Sequence, residues 1–320
     1  MARVVVTGKI PKPALDILRR AGHEIDAWDS EEQQPREQLL EQVAGAEALV
    51  TLLTEKVDDE LLDAAGDQLK VVANVAVGYN NIDVKACRSR GVVATNTPGV
   101  LTDATADIAM ALILMASRRL GEGERIIRSQ TPWQWGMFYL LGSGLQRKTL
   151  GVVGLGAIGA ATARRARAFG MNILYSSRSK ADSALENELM AHRVDMDTLL
   201  AESDVLSLHC PYSPATHHLM GAEEFAAMKS SAYIVNTARG PVIDEAALVE
   251  ALKSGEIAGA GLDVFEDEPE VHPGLLECEN AVLVPHLGSA TIETRTAMAT
   301  LAADNAVAML DGEDPPTPIR

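Results

Sequence analysis

Short apolar runs alternate with helical patterns along most of the chain. Two such series are present, one over the first hundred residues and a second that begins at Thr149. Apolar strands alternating with helices are typical of parallel sheets that helices cover on both faces. The pattern therefore predicts an α/β protein with two doubly wound parallel-sheet domains. The predicted strands are 3–7, 48–53, 71–77 and 92–95 in the first series, and 149–154, 172–175, 205–209, 232–236, 257–263 and 281–284 in the second.

One segment between the two series breaks this alternation. A long helix is predicted over 102–120, and residues 121–148 then carry no strong helix or strand pattern. Irregular segments of this length are uncommon inside compact domains unless they are functional, and aromatic residues are enriched in interfaces. We predict that 121–148 forms an arm packing on a second subunit of a homodimer; a lid on the same chain is the alternative. Its clustered aromatic residues are Trp133, Trp135, Phe138 and Tyr139.

The second series opens with a glycine turn. The first predicted strand of this series ends at Gly154. This residue is also the first glycine of the pattern G-x-G-x-x-G, and a helix pattern comes directly after it. In a strand-turn-helix unit the first glycine permits the turn, the second admits a pyrophosphate, and the third lets the helix pack close to the strand. The turn therefore predicts a dinucleotide site. Its expected members are Gly154, Gly156, Ala157, Ile158 and Gly159.

The next predicted strand ends in residues that bear on the choice of cofactor. NAD sites usually place an acidic residue there to bind the ribose 2′-hydroxyl, but this chain has no carboxylate between Ser176 and Lys180. A hydroxyl and a guanidinium, here Ser177 and Arg178, are suited to a 2′-phosphate. We therefore predict that NADP(H) is preferred, with NAD(H) as the alternative.

Charge and composition narrow the partners. Lys and Arg number 28 against 45 Asp and Glu, which gives a net charge of −17. Such a balance disfavours nucleic acid and anionic membranes as partners. An anionic substrate must then be attracted by a locally positive site.

Cysteine and histidine patterns point to neither disulfides nor a metal. Cys87, Cys210 and Cys278 show no paired spacing, and no secretory leader or membrane-spanning stretch is recognisable, so we expect a cytoplasmic protein. The cluster of His209 and Cys210 with the histidines at 217–218 lacks the spacing of a zinc site. No metal is expected.

Three polar residues follow predicted strands of the second series. Arg239, Glu268 and His286 each come after an apolar run. Ligands of open parallel sheets bind outside the carboxyl ends of the strands. A histidine can transfer a proton near neutral pH, a carboxylate stabilises its charged form, and an arginine binds a substrate carboxylate. Together they suit hydride and proton transfer at a carbonyl group.

These residues lie within motifs through which the chain resembles the D-isomer-specific 2-hydroxyacid dehydrogenases, most closely their glyoxylate/hydroxypyruvate reductase branch. The resemblance covers nearly the whole chain, and the order of the motifs is specific. The motifs are NVAVGYNNID (74–83), TNTPGVLTDATAD (95–107), VVGLGAIG (152–159), NTARGPVIDEAAL (236–248), AGLDVFEDEP (260–269) and PHLGSAT (285–291).

The resemblance implies roles for individual residues. His286 would be the acid, Glu268 its partner, and Arg239 the group that binds the substrate's carboxylate and oxo group. The remaining positions are assigned by the same motifs. The backbone of Val77 and Gly78 would bind the carboxylate, Thr102, Thr237 and Asp263 would contact the cofactor, and Trp135 would reach the substrate from the partner subunit.

The resemblance also implies a fold in which one domain is inserted into another. A flavodoxin-like substrate-binding domain would comprise 1–98 and 288–320, including a last helix predicted over 291–309. A Rossmann dinucleotide-binding domain would comprise 99–287 and carry the arm. The substrate would be a small anionic 2-oxo or 2-hydroxy acid.

Departures from the family pattern leave alternatives open. Many members have a basic residue at the position of Ala157, so a usual pyrophosphate contact is absent here, and phosphonate dehydrogenases share the GAIG variant. A phosphite dehydrogenase or a sugar-acid (2-ketogluconate) dehydrogenase is therefore one alternative. A corepressor-like protein that senses dinucleotides without turnover is another, because such proteins keep the same three polar residues.

Overall fold

Each of the two parallel sheets is the centre of its own unit in the computed structural model, which describes residues 1–320. Unit 1 comprises Met1–Leu101 and Ala290–Arg320, and unit 2 comprises Thr102–Ser289. The predicted fold class, with two doubly wound parallel sheets, is confirmed.

Unit 1 contains a five-stranded sheet in which all neighbouring strands pair in parallel, in the order β2-β1-β3-β4-β5. This is the flavodoxin-like order. The strands are β1 (Arg3–Val6), β2 (Glu24–Ala27), β3 (Ala48–Thr51), β4 (Val71–Asn74) and β5 (Val93–Thr95), and the helices are α1 (Lys12–Arg20), α2 (Arg36–Val43), α3 (Asp59–Ala65), α4 (Val84–Ser89) and α13 (Ile292–Asp311).

The last helix, α13, completes unit 1 from the far end of the chain. It begins after Thr291, whose side chain accepts a hydrogen bond from the Thr294 N–H. Its buried face consists largely of alanines, which pack among the valines of β1, β3 and β4. Small side chains on this face let the helix lie close to the sheet. The buried alanines are Ala299, Ala302, Ala303 and Ala306.

Unit 2 contains a seven-stranded parallel sheet in the order β12-β11-β10-β9-β6-β7-β8. Counted from β6, this is the dinucleotide-binding order with one strand added at the edge. The strand order reverses beside β6, where a crevice opens at the carboxyl ends. The strands are β6 (Thr149–Val153), β7 (Asn172–Ser176), β8 (Ala191–Arg193), β9 (Val205–Leu208), β10 (Tyr233–Asn236), β11 (Gly259–Leu262) and β12 (Ala281–Leu283).

Helices cover both faces of this sheet. The longest, α5, packs against α7, β10 and β11. No helix in the chain is both long and apolar enough to cross a membrane. The helices of unit 2 are α5 (Thr102–Ser117), α6 (Leu120–Arg128), α7 (Ala157–Ala168), α8 (Ser183–Leu189), α9 (Met196–Glu202), α10 (Ala222–Ala227), α11 (Glu245–Ser254) and α12 (Pro273–Leu276), and a 3₁₀ turn spans Gly240–Val242.

The start of the arm differs from the sequence prediction. We expected no regular element over 121–148, but its first residues belong to α6. Gly121 and Gly123 weaken the local helix preference, which masks the pattern. The helix has no buried residue, so neither packing nor composition marks it in the sequence.

Candidate active site

Three neighbouring strands bring Arg239, Glu268 and His286 to one edge of the unit 2 sheet. Arg239 lies three residues beyond β10, Glu268 six beyond β11, and His286 three beyond β12. These strands are adjacent and parallel, so their carboxyl ends lie side by side. The sheet thus collects a cation, a carboxylate and an imidazole that are far apart in sequence.

His286 and Glu268 form a direct pair. The His286 Nδ1 and the Glu268 Oε2 are 2.8 Å apart, and both side chains are about one-third exposed, at 29% and 30%. The Phe265 N–H donates to the other carboxylate oxygen at 3.0 Å. Burial alone would raise the pKa of Glu268, but the His286 hydrogen bond and charge bring this pKa below its ordinary value. The carboxylate is therefore ionised at neutral pH, and the His286 Nε2 makes no hydrogen bond within the chain.

Asp263 holds the backbone that carries His286. His286 has φ 52°, a left-handed conformation that is uncommon outside glycine. The Asp263 carbonyl accepts the His286 N–H at 2.9 Å, and its carboxylate accepts the N–H groups of Leu287 and Gly288. Burial raises the pKa of this carboxyl group, and the two N–H groups act in the opposite direction. Both oxygens are thus engaged in fixing the loop.

A close backbone approach joins the Arg239 turn to the Glu268 loop. A Cβ atom added to Gly240 would lie 1.8 Å from the Phe265 carbonyl oxygen, so only glycine fits. The Asn236 side chain shapes the same turn by bonding the Ala238 N–H and the Arg239 carbonyl, both at 2.9 Å. Burial lowers the pKa of the half-buried Arg239 guanidinium and the Glu268 charge opposes this, but an arginine stays protonated at neutral pH.

The glycine turn has the space that a dinucleotide pyrophosphate requires. Gly154 has φ +92°, and a Cβ on Gly159 would lie 2.3 Å from the Gly154 carbonyl oxygen. A Cβ on Gly156 would meet nothing within 4 Å, so space is open where an anion would enter. Ala157 then begins α7, with the half-buried Ile158 next, and no side chain caps the helix N-terminus. These residues fit the cofactor, although Ala157 offers only its backbone.

Buried polar atoms without partners lie along the same edge. The Thr237 Oγ1 just beyond β10 and the His209 Nδ1 just beyond β9 are buried without a hydrogen bond. Such atoms are uncommon unless a ligand or water satisfies them. Burial lowers the pKa of His209 to about 4, so its ring is neutral, and its Nε2 lies 2.8 Å from the Ser207 Oγ. The sequence pattern does not separate His209 from an ordinary core histidine.

Residues 176–180, which comprise the last residue of β7 and the turn after it, are called the ribose turn below. The Ser177 Oγ accepts the Leu155 N–H at 2.8 Å, which ties this turn to the glycine turn. Lys180 is paired with Glu186, whereas the exposed Arg178 has no carboxylate partner. Arg193, at the end of β8, donates to the Ser177 and Arg178 carbonyls at 2.8 and 3.2 Å. The sequence pattern gives no signal for Arg193, because β8 has only three residues.

The other predicted residues lie in different parts of the chain. In unit 1, the side-chain amides of Asn96 and Asn74 donate to the carbonyls of Val77 and Gly78, whose own N–H groups make no hydrogen bond within the chain. In unit 2, Thr102 is the first residue of α5 and is half-buried.

Trp135 belongs to a largely apolar surface on α6 and the arm, and it is 74% exposed. Trp133 stacks on Tyr139 with ring centroids 6.2 Å apart. Large exposed apolar side chains grouped in this way are typical of interaction sites. Its other large exposed side chains are Leu120, Ile127, Trp133, Met137, Phe138, Tyr139 and Leu141.

Comparison with known proteins identifies relatives along the whole chain. The family model for the D-isomer specific 2-hydroxyacid dehydrogenase NAD binding domain matches residues 110–288. A glyoxylate reductase from Thermococcus litoralis is 49% identical over 319 residues, which are 98% of this chain and 95% of the relative. Among solved structures, a glyoxylate reductase from Paecilomyes thermophila is 38% identical with TM-score 0.89, covering 99% and 98% of the two chains. An NADPH-dependent glyoxylate/hydroxypyruvate reductase from Sinorhizobium meliloti, solved with NADP and malonate, is 35% identical with TM-score 0.86, covering 99% and 96%.

Proposed function

The chain belongs to the D-isomer specific 2-hydroxyacid dehydrogenase family and is a nicotinamide-dependent oxidoreductase of small 2-oxo acids, and from this premise we propose that it is an NADPH-preferring glyoxylate/hydroxypyruvate reductase. The observation that carries the proposal is the His286–Glu268 pair beside Arg239 at one edge of a dinucleotide-binding sheet. The relatives named glyoxylate reductase support the substrate class.

The reaction needs a hydride at C2 and a proton at the carbonyl oxygen of the substrate. The nicotinamide, when bound, supplies the hydride. His286 gives the proton from Nε2, and Glu268 orients the ring through Nδ1. Arg239 binds the substrate carboxylate and oxo group through its planar guanidinium. The neutral imidazole left after each turnover regains a proton from solvent, since its side chain is 29% exposed.

The cofactor would be held by the glycine turn at one point and by the ribose turn at another. Gly154, Gly156 and Gly159 leave room for the pyrophosphate. The unpartnered Thr237 hydroxyl lies beyond β10, nearer the reacting residues. Asp263 acts mainly by fixing the His286 loop.

Replacing Glu268 with glutamine should change the pH dependence of the reaction. Reduction needs the charged imidazole, and removal of the neighbouring carboxylate charge disfavours that form. The fall of kcat/KM for reduction with rising pH should therefore occur at lower pH than in the wild type. The rise of kcat/KM for oxidation of the hydroxy acid with pH should move the same way. Both follow from pH profiles of the forward and reverse reactions.

Asp267→Asn is the matched control for this variant. Asp267 is exposed and precedes Glu268 directly, and its side chain makes no hydrogen bond or ion pair with His286. Asp267→Asn changes the net charge by the same amount as Glu268→Gln, but it should leave both pH profiles unchanged. Equal profiles for Glu268→Gln and the wild type would contradict the role given to Glu268.

Preference for NADPH is supported by the ribose turn. It offers the Ser177 hydroxyl and the unpaired Arg178 guanidinium, with no carboxylate within residues 176–180 to repel a 2′-phosphate. The Sinorhizobium meliloti relative, which is named NADPH-dependent and contains NADP, supports the same choice.

Steady-state kinetics on glyoxylate, hydroxypyruvate, 2-ketogluconate and phosphite with both cofactors test the proposal. Glyoxylate and hydroxypyruvate with NADPH should give the highest kcat/KM, and Ser177→Asp with Arg178→Ala should reverse the preference toward NADH. Highest activity on phosphite or 2-ketogluconate would instead establish the phosphite or sugar-acid alternative. Tight cofactor binding without turnover on any substrate would favour the corepressor-like alternative.

Substrate binding in unit 1 is assigned to the loop after β4. The N–H groups of Val77 and Gly78 are free, while their carbonyls are held by Asn96 and Asn74. Two free N–H groups in a fixed loop suit a carboxylate. This supports their assignment to the carboxylate of the substrate.

A homodimer is proposed from the arm and α6. This helix buries none of its residues within the chain, and Trp135 and Phe138 are 74% and 88% exposed. A second copy of this surface would cover these side chains, with Trp135 reaching the substrate of the partner. Sedimentation equilibrium should give twice the mass of the chain, and Phe138→Glu should lower that mass toward one chain. A wild-type protein that sediments as a monomer would contradict this assembly.

A further inference from the structure

The ribose turn is held through its backbone carbonyl groups by a charged side chain that lies outside the sequence motifs. Arg193 is the last residue of β8, and β8 pairs with β7 so that Arg193 lies opposite Tyr175. Its Nη2 donates to the carbonyl oxygens of Ser177 and Arg178, at 2.8 and 3.2 Å. One guanidinium therefore holds two consecutive peptide groups of the ribose turn.

These two hydrogen bonds also fix the direction of the N–H groups in the same two peptides. In a trans peptide the N–H points away from the C=O. With both carbonyls directed at Arg193, the N–H groups of Arg178 and Ser179 point to the other side of the turn. Neither N–H makes a hydrogen bond within the chain. The turn thus presents two free donors beside the Ser177 hydroxyl and the Arg178 side chain, which is an arrangement that suits an anion.

Charge adds to this arrangement. No carboxylate is paired with Arg193 or with Arg178, although the chain carries a net charge of −17. Lys180, the other cation of the turn, is already paired with Glu186. Both guanidinium groups are positively charged, and a dianionic phosphate bound at the turn would be attracted by both charges.

We propose that Arg193 is a positioning residue for the 2′-phosphate of NADP(H), acting through the Ser177 and Arg178 carbonyls and through its charge. The proposal rests on the proposed NADPH preference and extends it to a residue outside the glycine and ribose turns. Binding of the adenosine half alone should show the effect, because the reacting residues lie at the other strands of the sheet.

Calorimetric titration with adenosine 2′,5′-bisphosphate and with 5′-AMP tests the inference, since the two ligands differ only in the 2′-phosphate. Arg193→Ala should weaken binding of the bisphosphate by about tenfold or more, as expected for loss of hydrogen bonds from a charged group. Binding of 5′-AMP should stay at the wild-type level, which also shows that the site is folded. The KM for NADPH should rise in step, with kcat and the KM for NADH unchanged.

Two further variants separate charge from position. Arg193→Lys keeps a charged donor and should restore part of the discrimination, whereas Arg193→Gln keeps only a neutral donor and should restore less. His192→Ala is the matched control, because His192 is an exposed residue of the same edge strand with its side chain on the opposite face. This variant should bind both ligands as the wild type does.

The outcomes distinguish this inference from the proposed function. Equal affinity of the wild type for the two ligands would refute the NADPH preference itself. Discrimination that is present in the wild type and unchanged in Arg193→Ala would refute only the role of Arg193. An equal loss of affinity for both ligands in Arg193→Ala, or the same loss in His192→Ala, would show a general effect on the strand. Either result would also overturn the role of Arg193.

Discussion

Replacing His286 with asparagine should lower kcat for glyoxylate reduction by about 10²- to 10⁴-fold, the usual contribution of a positioned acid. The imidazole is the one proton donor of the His286–Glu268 pair, and its Nε2 makes no hydrogen bond within the chain. An amide has no proton to transfer at neutral pH. Asparagine is chosen because it tolerates the left-handed backbone at this position, where φ is 52°.

The change should be confined to the chemical step. The loop that carries residue 286 is fixed by Asp263 through backbone N–H groups, and those bonds do not involve the imidazole. The dissociation constant of NADPH, measured by fluorescence titration, should therefore stay near the wild-type value. The loss of rate at high pH should also disappear, since the titrating group is gone.

His192→Asn serves as the control for this variant. His192 is exposed on the edge strand β8, which lies at the opposite edge of the sheet from β12. Its substitution should leave kcat unchanged. A His286→Asn enzyme that retains kcat within about tenfold of the wild type, below the range expected for loss of an acid, would show that the proton comes from another group.

The central strands of both sheets and the apolar edge strands β5 and β12 could be predicted from the sequence, and the other two edge strands could not. Strands such as β3 and β4 are buried along their whole length and appear as continuous apolar runs. The edge strands β2 (Glu24–Ala27) and β8 (Ala191–Arg193) are half exposed and carry charged residues. Charged, short edges protect a sheet from pairing with other chains. The same charged residues remove the hydrophobic pattern from the sequence. For this reason β8 was missed, and six strands were predicted for unit 2 where the structure has seven.

The positions of the reacting residues follow from the sequence because parallel strands end at a common edge. The contacts that hold those residues do not follow from it. The Asp263 bonds to the His286 loop, and the 1.8 Å approach that restricts position 240 to glycine, depend on the register between neighbouring strands. Arg193 reaches the ribose turn through a strand pairing that no local pattern predicts. Sequence patterns thus predict which groups are candidates for the reaction, and packing decides what positions them.

Replacing Arg239 should lower the affinity for the substrate, whereas replacing His286 should lower the rate of the chemical step. The guanidinium of Arg239 lies beyond β10. The backbone of its turn is fixed mainly by Asn236 and Gly240, and the Arg239 Nη1 adds one hydrogen bond to the Ala238 carbonyl at 2.7 Å. Lysine keeps the charge but loses the two parallel donors that match a carboxylate. Arg239→Lys should therefore lower kcat/KM for glyoxylate roughly 10- to 100-fold, chiefly by raising KM.

Removing the charge as well should cost more. Arg239→Gln leaves the substrate carboxylate without its cation, and kcat/KM should fall by about 10²- to 10³-fold. Arg164→Lys is the matched control, because Arg164 is paired with Glu188 at the surface of the same unit and should tolerate the change. Steady-state kinetics with saturating NADPH give KM and kcat separately for each variant. An unchanged KM for glyoxylate in Arg239→Lys would rule out a two-donor contact, because a single charged donor would then bind the carboxylate equally well.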